Sequence, residues 1–120
     1  MESGYSLSPE LIEVAEGVVG FLKLRRVTGV VTPDNPLKGA AICDHFAKVG
    51  TPLTETTLRA LVNYLRQTHR PIGSNAHGYF WANRARELDS TIRHLRERIG
   101  GIDRAARGLE TCFSGQKELF

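Results

Sequence analysis

The stretch from Leu53 to Ala82 constrains this chain more than any other. TLRALVNYLRQTH carries apolar residues at helical spacing, and RPIGSNAHGYFWA follows it with the composition of a short β-hairpin. The order helix, break, hairpin narrows the fold, and with it the function, more than any single residue does.

The totals set the frame around that core. With 120 residues and 41% apolar content, the chain supports one compact domain over 1–110 with a modest core, followed by a flexible tail at 111–120. MESGYSLSPE has neither a basic leading region nor an apolar run, which predicts a soluble protein of the cytoplasm or nucleoid with no membrane association. Cys43 and Cys112 are far apart and outside any CxxC, so free thiols are expected. His45, His69, His77 and His94 fall in separate elements, which argues against a metal site, and nothing calls for a cofactor.

Charge is unevenly distributed. Residues 1–58 hold five basic and seven acidic side chains, whereas 59–107 hold ten basic and four acidic, within a total of +3. All ten are arginines, the side chain suited to bidentate contacts with phosphate and guanine, although arginine is also simply frequent in high-GC genomes.

Ser8-Pro9-Glu10 is a helix start, with Ser as cap, Pro in the first turn and an acid facing the positive end of the dipole. Leu11, Ala15, Val18 and Leu22 then repeat at helical spacing, giving a first helix over 8–26. Val30-Val31 reads as a short strand before a turn rich in Pro, Asp and Asn. A second helix spans 37–49 and ends at Gly50, and Thr51-Pro-Leu-Thr54 leads into a third over 54–69. In that third helix Leu58, Leu61, Val62 and Leu65 form the buried stripe, leaving Thr56, Arg59, Asn63 and Arg66 on the opposite face.

The hairpin occupies 70–82. Pro71 and Ile72 open one strand, Gly73-Ser74-Asn75-Ala76 forms the turn, and Gly78-Tyr79-Phe80-Trp81 returns. Tyr79 and Trp81 share a face with Ile72 toward the core, and Phe80 points the other way. Asn83 caps a long fourth helix over 84–109, in which Leu88, Ile92, Leu95, Ile99, Ile102, Ala106 and Leu109 alternate spacings of four and three. That heptad stripe packs either on the first helix or on a dimer mate, and Gly100-Gly101 marks a place where the helix could kink. The fold class is therefore mainly α with a small β-hairpin.

The stretch ALVNYLRQTHRPIGSNAHGYFWANRARELDSTIRHLRERI resembles the small winged helix-turn-helix proteins of bacteriophages and prophages. VNYLR, PIGSN, GYFWA and the acid-bearing helix ending in Leu-x-x-Arg-Ile carry the resemblance, which covers about residues 37–102. It implies that the exposed positions of the third helix and the wing tip touch DNA. Thr56, Arg59 and Asn63 are the candidate base-edge contacts, Arg66 and Arg70 the phosphate contacts, and Ser74, Asn75 and His77 the wing contacts, with Thr54, a candidate cap of the third helix, also counted among the DNA-binding residues. Leu88, Ile92, Leu95, Ile99 and Ile102 are the candidate dimerisation residues.

No GxSxG, phosphate-binding glycine loop, HExxH or supported Cys/His pair is present, so an enzyme is not expected. Two functions remain. One is a sequence-specific double-stranded DNA-binding regulator of transcription or replication, acting as a homodimer. The other is a winged helix module that binds a phage or host protein without DNA, a possibility that Glu55 at the head of the third helix keeps open.

Overall fold

The computed structural model describes residues 7–113. The chain separates into two compact units, with the boundary between Leu88 and Asp89. The first contains α1 (Pro9–Val27), α2 (Gly39–Lys48), α3 (Glu55–Gln67), an antiparallel hairpin of β1 (Ile72–Asn75) and β2 (Gly78–Trp81), and a short 3-10 turn, Ala85–Leu88. The second is α4 (Asp89–Thr111). The protein is mainly helical with one small hairpin, the class that the sequence pattern predicts.

Side-chain caps start α1 and α3. Ser8 caps α1 by accepting a hydrogen bond from the Leu11 N–H at 3.2 Å, and Pro9 occupies the first turn. Thr54 caps α3 through the Thr57 N–H at 3.0 Å. Between α2 and α3, Gly50 takes a φ of +89°, and the Thr51 N–H reaches back to the Phe46 carbonyl at 2.8 Å. That reversal lets α3 lie against α2 across the six-residue connection 49–54.

The main core gathers the apolar stripes of all three helices. Ala15, Val18 and Leu22 of α1 meet Ile42 and Phe46 of α2, Leu58, Leu61, Val62 and Leu65 of α3, and Ile72 of β1. The α1 stripe is thus packed against α2, α3 and the hairpin. Tyr79 and Trp81 pack on this core as expected. Phe80 faces the other way but is not exposed. It is buried with Val31 and Ala82 in a second small cluster, against which Leu37 and Leu88 pack.

Four local expectations are corrected. Val30-Val31 is not a strand. Val31 is a buried plug, and backbone pairing falls instead on the Thr32–Asn35 turn and on Leu37 with Tyr79. The hairpin turn lies at Ala76-His77, because Ser74 and Asn75 stay in register opposite Tyr79 and Gly78. The helix expected over 84–109 is two elements, since Glu87 turns back to accept from the Asn83 N–H at 2.9 Å and closes a separate short turn. Leu88 consequently belongs to the second cluster rather than to the heptad seam.

Beyond that turn, α4 runs unbroken through Gly100 and Gly101 to Thr111, so residue 111, expected in the tail, is helical. The expectation of a flexible tail over 114–120 falls outside the described residues. No helix among the described residues is long and apolar enough to cross a membrane.

Candidate nucleic-acid interface

The core-facing stripe of α3 determines what its outer face presents. With Leu58, Leu61, Val62 and Leu65 buried, Thr56, Arg59 and Asn63 stand exposed at intervals of three and four, one above another on the opposite side. The only hydrogen bond between side chains within this row is a long one, 3.4 Å from an Arg59 terminal nitrogen to the Thr56 hydroxyl. Among the described residues Arg59 forms no ion pair, the three recorded joining Arg26–Glu87, Arg70–Glu16 and Arg107–Asp103. A guanidinium, an amide and a hydroxyl in a row have the donors and acceptors to read base edges.

The other two arginines expected at phosphates are already engaged within the protein. Arg66 is half-buried, with its Nε donating to the Ile72 carbonyl at 2.8 Å and a terminal nitrogen donating to the Ser74 hydroxyl at 3.0 Å. Arg70 forks onto the Glu16 carboxylate at 2.9 and 2.8 Å, tying the α3–β1 connection to α1. Glu16 is held below its ordinary value chiefly by that hydrogen bond. Both side chains fix the hairpin to the helices and are positioning groups, not the open phosphate contacts that their residue type suggests.

At the hairpin's end, the Asn75 side-chain Oδ1 accepts from the His77 N–H at 2.8 Å while its Nδ2 donates to the Pro33 carbonyl at 3.2 Å. Asn75 therefore builds the turn and anchors it to the 32–35 loop, which brings the acidic Asp34 into that neighbourhood. His77 is exposed at the tip, and Thr54 serves as the α3 cap. Of the nine expected contact residues, the structure thus leaves Thr56, Arg59, Asn63 and His77 outward-facing and free of structural duty.

Tyr79, assigned to the core from sequence alone, has a second role. Its backbone exchanges two hydrogen bonds of 2.8 Å with Leu37, which draws the start of α2 onto the hairpin. Burial pushes its phenol up, while Arg66 and Arg59 pull it down, so the ring lies in the field of the α3 cations. Glu55 lies beside it, a carboxylate oxygen 3.1 Å from where a Gly39 Cβ would stand. The acid that weighed against DNA is thus directed at the first turn of α2, whose unpaired N–H groups favour a negative charge. A single bridging residue such as Leu37 leaves no periodicity, so only the hairpin-compatible glycine at 78 hinted at it.

Among the described residues no group of three His, Cys, Asp or Glu is placed to hold a metal ion. Cys43 is half-buried and its thiol is pushed up, first by burial and then by Glu55 and Asp44, which makes it a poor nucleophile. No protein-family model, curated protein sequence or solved structure matches the chain.

Proposed function

We propose that residues 7–88 form a winged helix that binds double-stranded DNA in a sequence-specific and non-enzymatic manner, as a regulator of transcription or replication of phage or mobile-element type. The observation that carries this reading is the exposed row Thr56, Arg59, Asn63 on a helix whose other side is locked into the core. α3 enters the major groove, Arg59 meets a guanine edge or a phosphate, Asn63 pairs with adenine, and the tip around His77 lies along the adjacent backbone. Arg66 and Arg70 contribute by holding the wing at a fixed angle to α3.

A fluorescence titration of mixed-sequence duplexes over a range of salt tests it. Affinity is expected to fall steeply with salt, and Arg59→Ala to weaken binding and lower the salt slope by about 1. Absence of binding at low salt overturns the reading. The rival, a protein-binding module, draws on Leu24, Val27 and Val30, which are 60%, 81% and 58% exposed at the end of α1 and in the turn after it. It becomes the better account if Leu24→Asp abolishes activity in cells while duplex binding is absent.

A further inference from the structure

We propose that α4 pairs with the α4 of a second copy of this chain as a parallel, in-register, two-stranded coiled coil. Ile92, Leu95, Ile99, Ile102, Ala106 and Leu109 alternate intervals of three and four, the a and d positions of a heptad with Ile92 at a. All but the half-buried Leu95 are left open to solvent, the large ones Ile92 at 45%, Ile99 at 64%, Ile102 at 63% and Leu109 at 73% exposure. The same 23-residue helix carries Gly100, Gly101 and Gly108, all at b or c positions away from the seam. A lone helix of that composition is weak, so burial of the seam is what sustains it.

Charge selects the occupant and its direction. In a parallel pair each g position meets the e position five residues further along the second copy. Arg98 then faces Asp103 of the second copy, and the two-fold axis makes that contact twice. Thr91, buried within its own chain, puts no charge opposite Arg96, and Ala105 faces Glu110, so no like charges meet. An antiparallel pair that aligns the same six layers brings Arg96 to Asp103 but also sets Asp89 against Glu110 at both ends. Isoleucine at a (Ile92, Ile99) with leucine at d (Leu95, Leu109) also favours two parallel strands, Ile102 being the exception. Asp103 already holds Arg107 at 2.9 Å on its own helix, and as an exposed carboxylate it accepts from both.

This pairing uses α4 alone and is independent of DNA. A chain that dimerises but binds no duplex overturns the preceding proposal and leaves this one standing. Sedimentation equilibrium of the full chain is expected to show a dimer at micromolar concentration and a monomer for Ile99→Asp. The circular dichroism of that variant should retain the helices of residues 7–88. Arg98→Glu should raise the dimer dissociation constant by about tenfold, and adding Asp103→Arg should restore it, since the two side chains meet only across copies. A spin label on Cys112 in a Cys43→Ala chain should report the two labels close together. Antiparallel strands instead separate them by about 35 Å. A monomer at about 100 μM, a dimer indifferent to Ile99→Asp, or a long label distance each overturns the proposal.

Discussion

Arg66 and Ser74 join α3 to the hairpin: a terminal nitrogen of the guanidinium donates to the Ser74 hydroxyl at 3.0 Å while Nε donates to the Ile72 carbonyl at 2.8 Å. One side chain thereby fixes both the distance and the angle between the two elements proposed to meet DNA. Arg66→Ala should destabilise the fold by about 1–2 kcal/mol, the cost of two lost charge-assisted hydrogen bonds on a half-buried group. Arg66→Lys should recover little of it, because an ammonium lacks the planar fork. Urea denaturation checks this, and an Arg66→Ala chain as stable as the parent excludes the clamp.

Arg59, about two turns earlier on α3, is the contrasting case. It is exposed and forms no ion pair among the described residues, so Arg59→Ala should change stability by less than about 0.5 kcal/mol. Its effect should fall on duplex affinity instead. The pair of variants separates a DNA-contacting arginine from one that holds the scaffold, provided both are measured for stability and for binding.

Gly78 sits where the hairpin touches the start of α2. Its φ is +150°, and a Cβ there would lie 2.3 Å from the Leu37 carbonyl oxygen. Gly78→Ala should therefore open the Leu37–Tyr79 pairing and cost more than about 2 kcal/mol. In hydrogen exchange the Leu37 and Tyr79 amides should lose protection well before those of α3. Retained protection in a folded Gly78→Ala chain would remove the bridge from the account.

The three-helix core and the hairpin were legible because amphipathic period and turn composition act locally. Leu58, Leu61, Val62 and Leu65 could only form one face, and that face is buried. The functions of Arg66 and Arg70 were not legible. Whether a guanidinium is free depends on tertiary neighbours, and Glu16 lies 54 residues from Arg70 in the chain. The hairpin turn was placed too early for a related reason, since Asn75 favours turns in isolation and its register is fixed only by the pairing with Gly78. Leu88 kept the heptad phase by coincidence, and nothing in the spacing showed that Glu87 would fold back onto Asn83. Phe80 is buried because the 31–37 segment crosses the hairpin's second face, a covering that alternation along β2 cannot reveal.

His69 carries a φ of +72°, the left-handed conformation that closes α3, while the following Arg70 N–H returns to the Leu65 carbonyl at 2.9 Å. Glycine is the residue that this position favours, and the imidazole of His69 is exposed. His69→Gly should raise stability by about 0.5–1 kcal/mol, the strain relieved less the extra freedom of glycine in the unfolded chain. Thermal unfolding checks the sign. A lower melting temperature for the glycine variant would show that His69 makes a favourable contact in solution.

Glu16 makes part of the stability depend on pH. Its carboxyl is lowered from the ordinary 4.5, first by the hydrogen bond from Arg70; burial opposes this, and the charge of Arg70 adds a lesser pull downward. A carboxyl that is more acidic in the folded than in the unfolded chain contributes stability above the unfolded value. That contribution fades as pH falls from about 4.5 through the lower folded value. Glu87 acts in the same direction, lowered chiefly by the Asn83 N–H and then by Arg26. The Glu16–Arg70 pair is substantially solvated, its side chains 49% and 32% exposed, so the contribution should stay below about 1 kcal/mol. Glu16→Gln should therefore melt slightly below the parent at pH 7, with the gap closing as the pH drops below 4.5. It should also narrow in high salt, which screens an exposed pair. A gap that persists unchanged in acid would mean that Glu16 supports the α3–β1 connection by packing rather than by its charge.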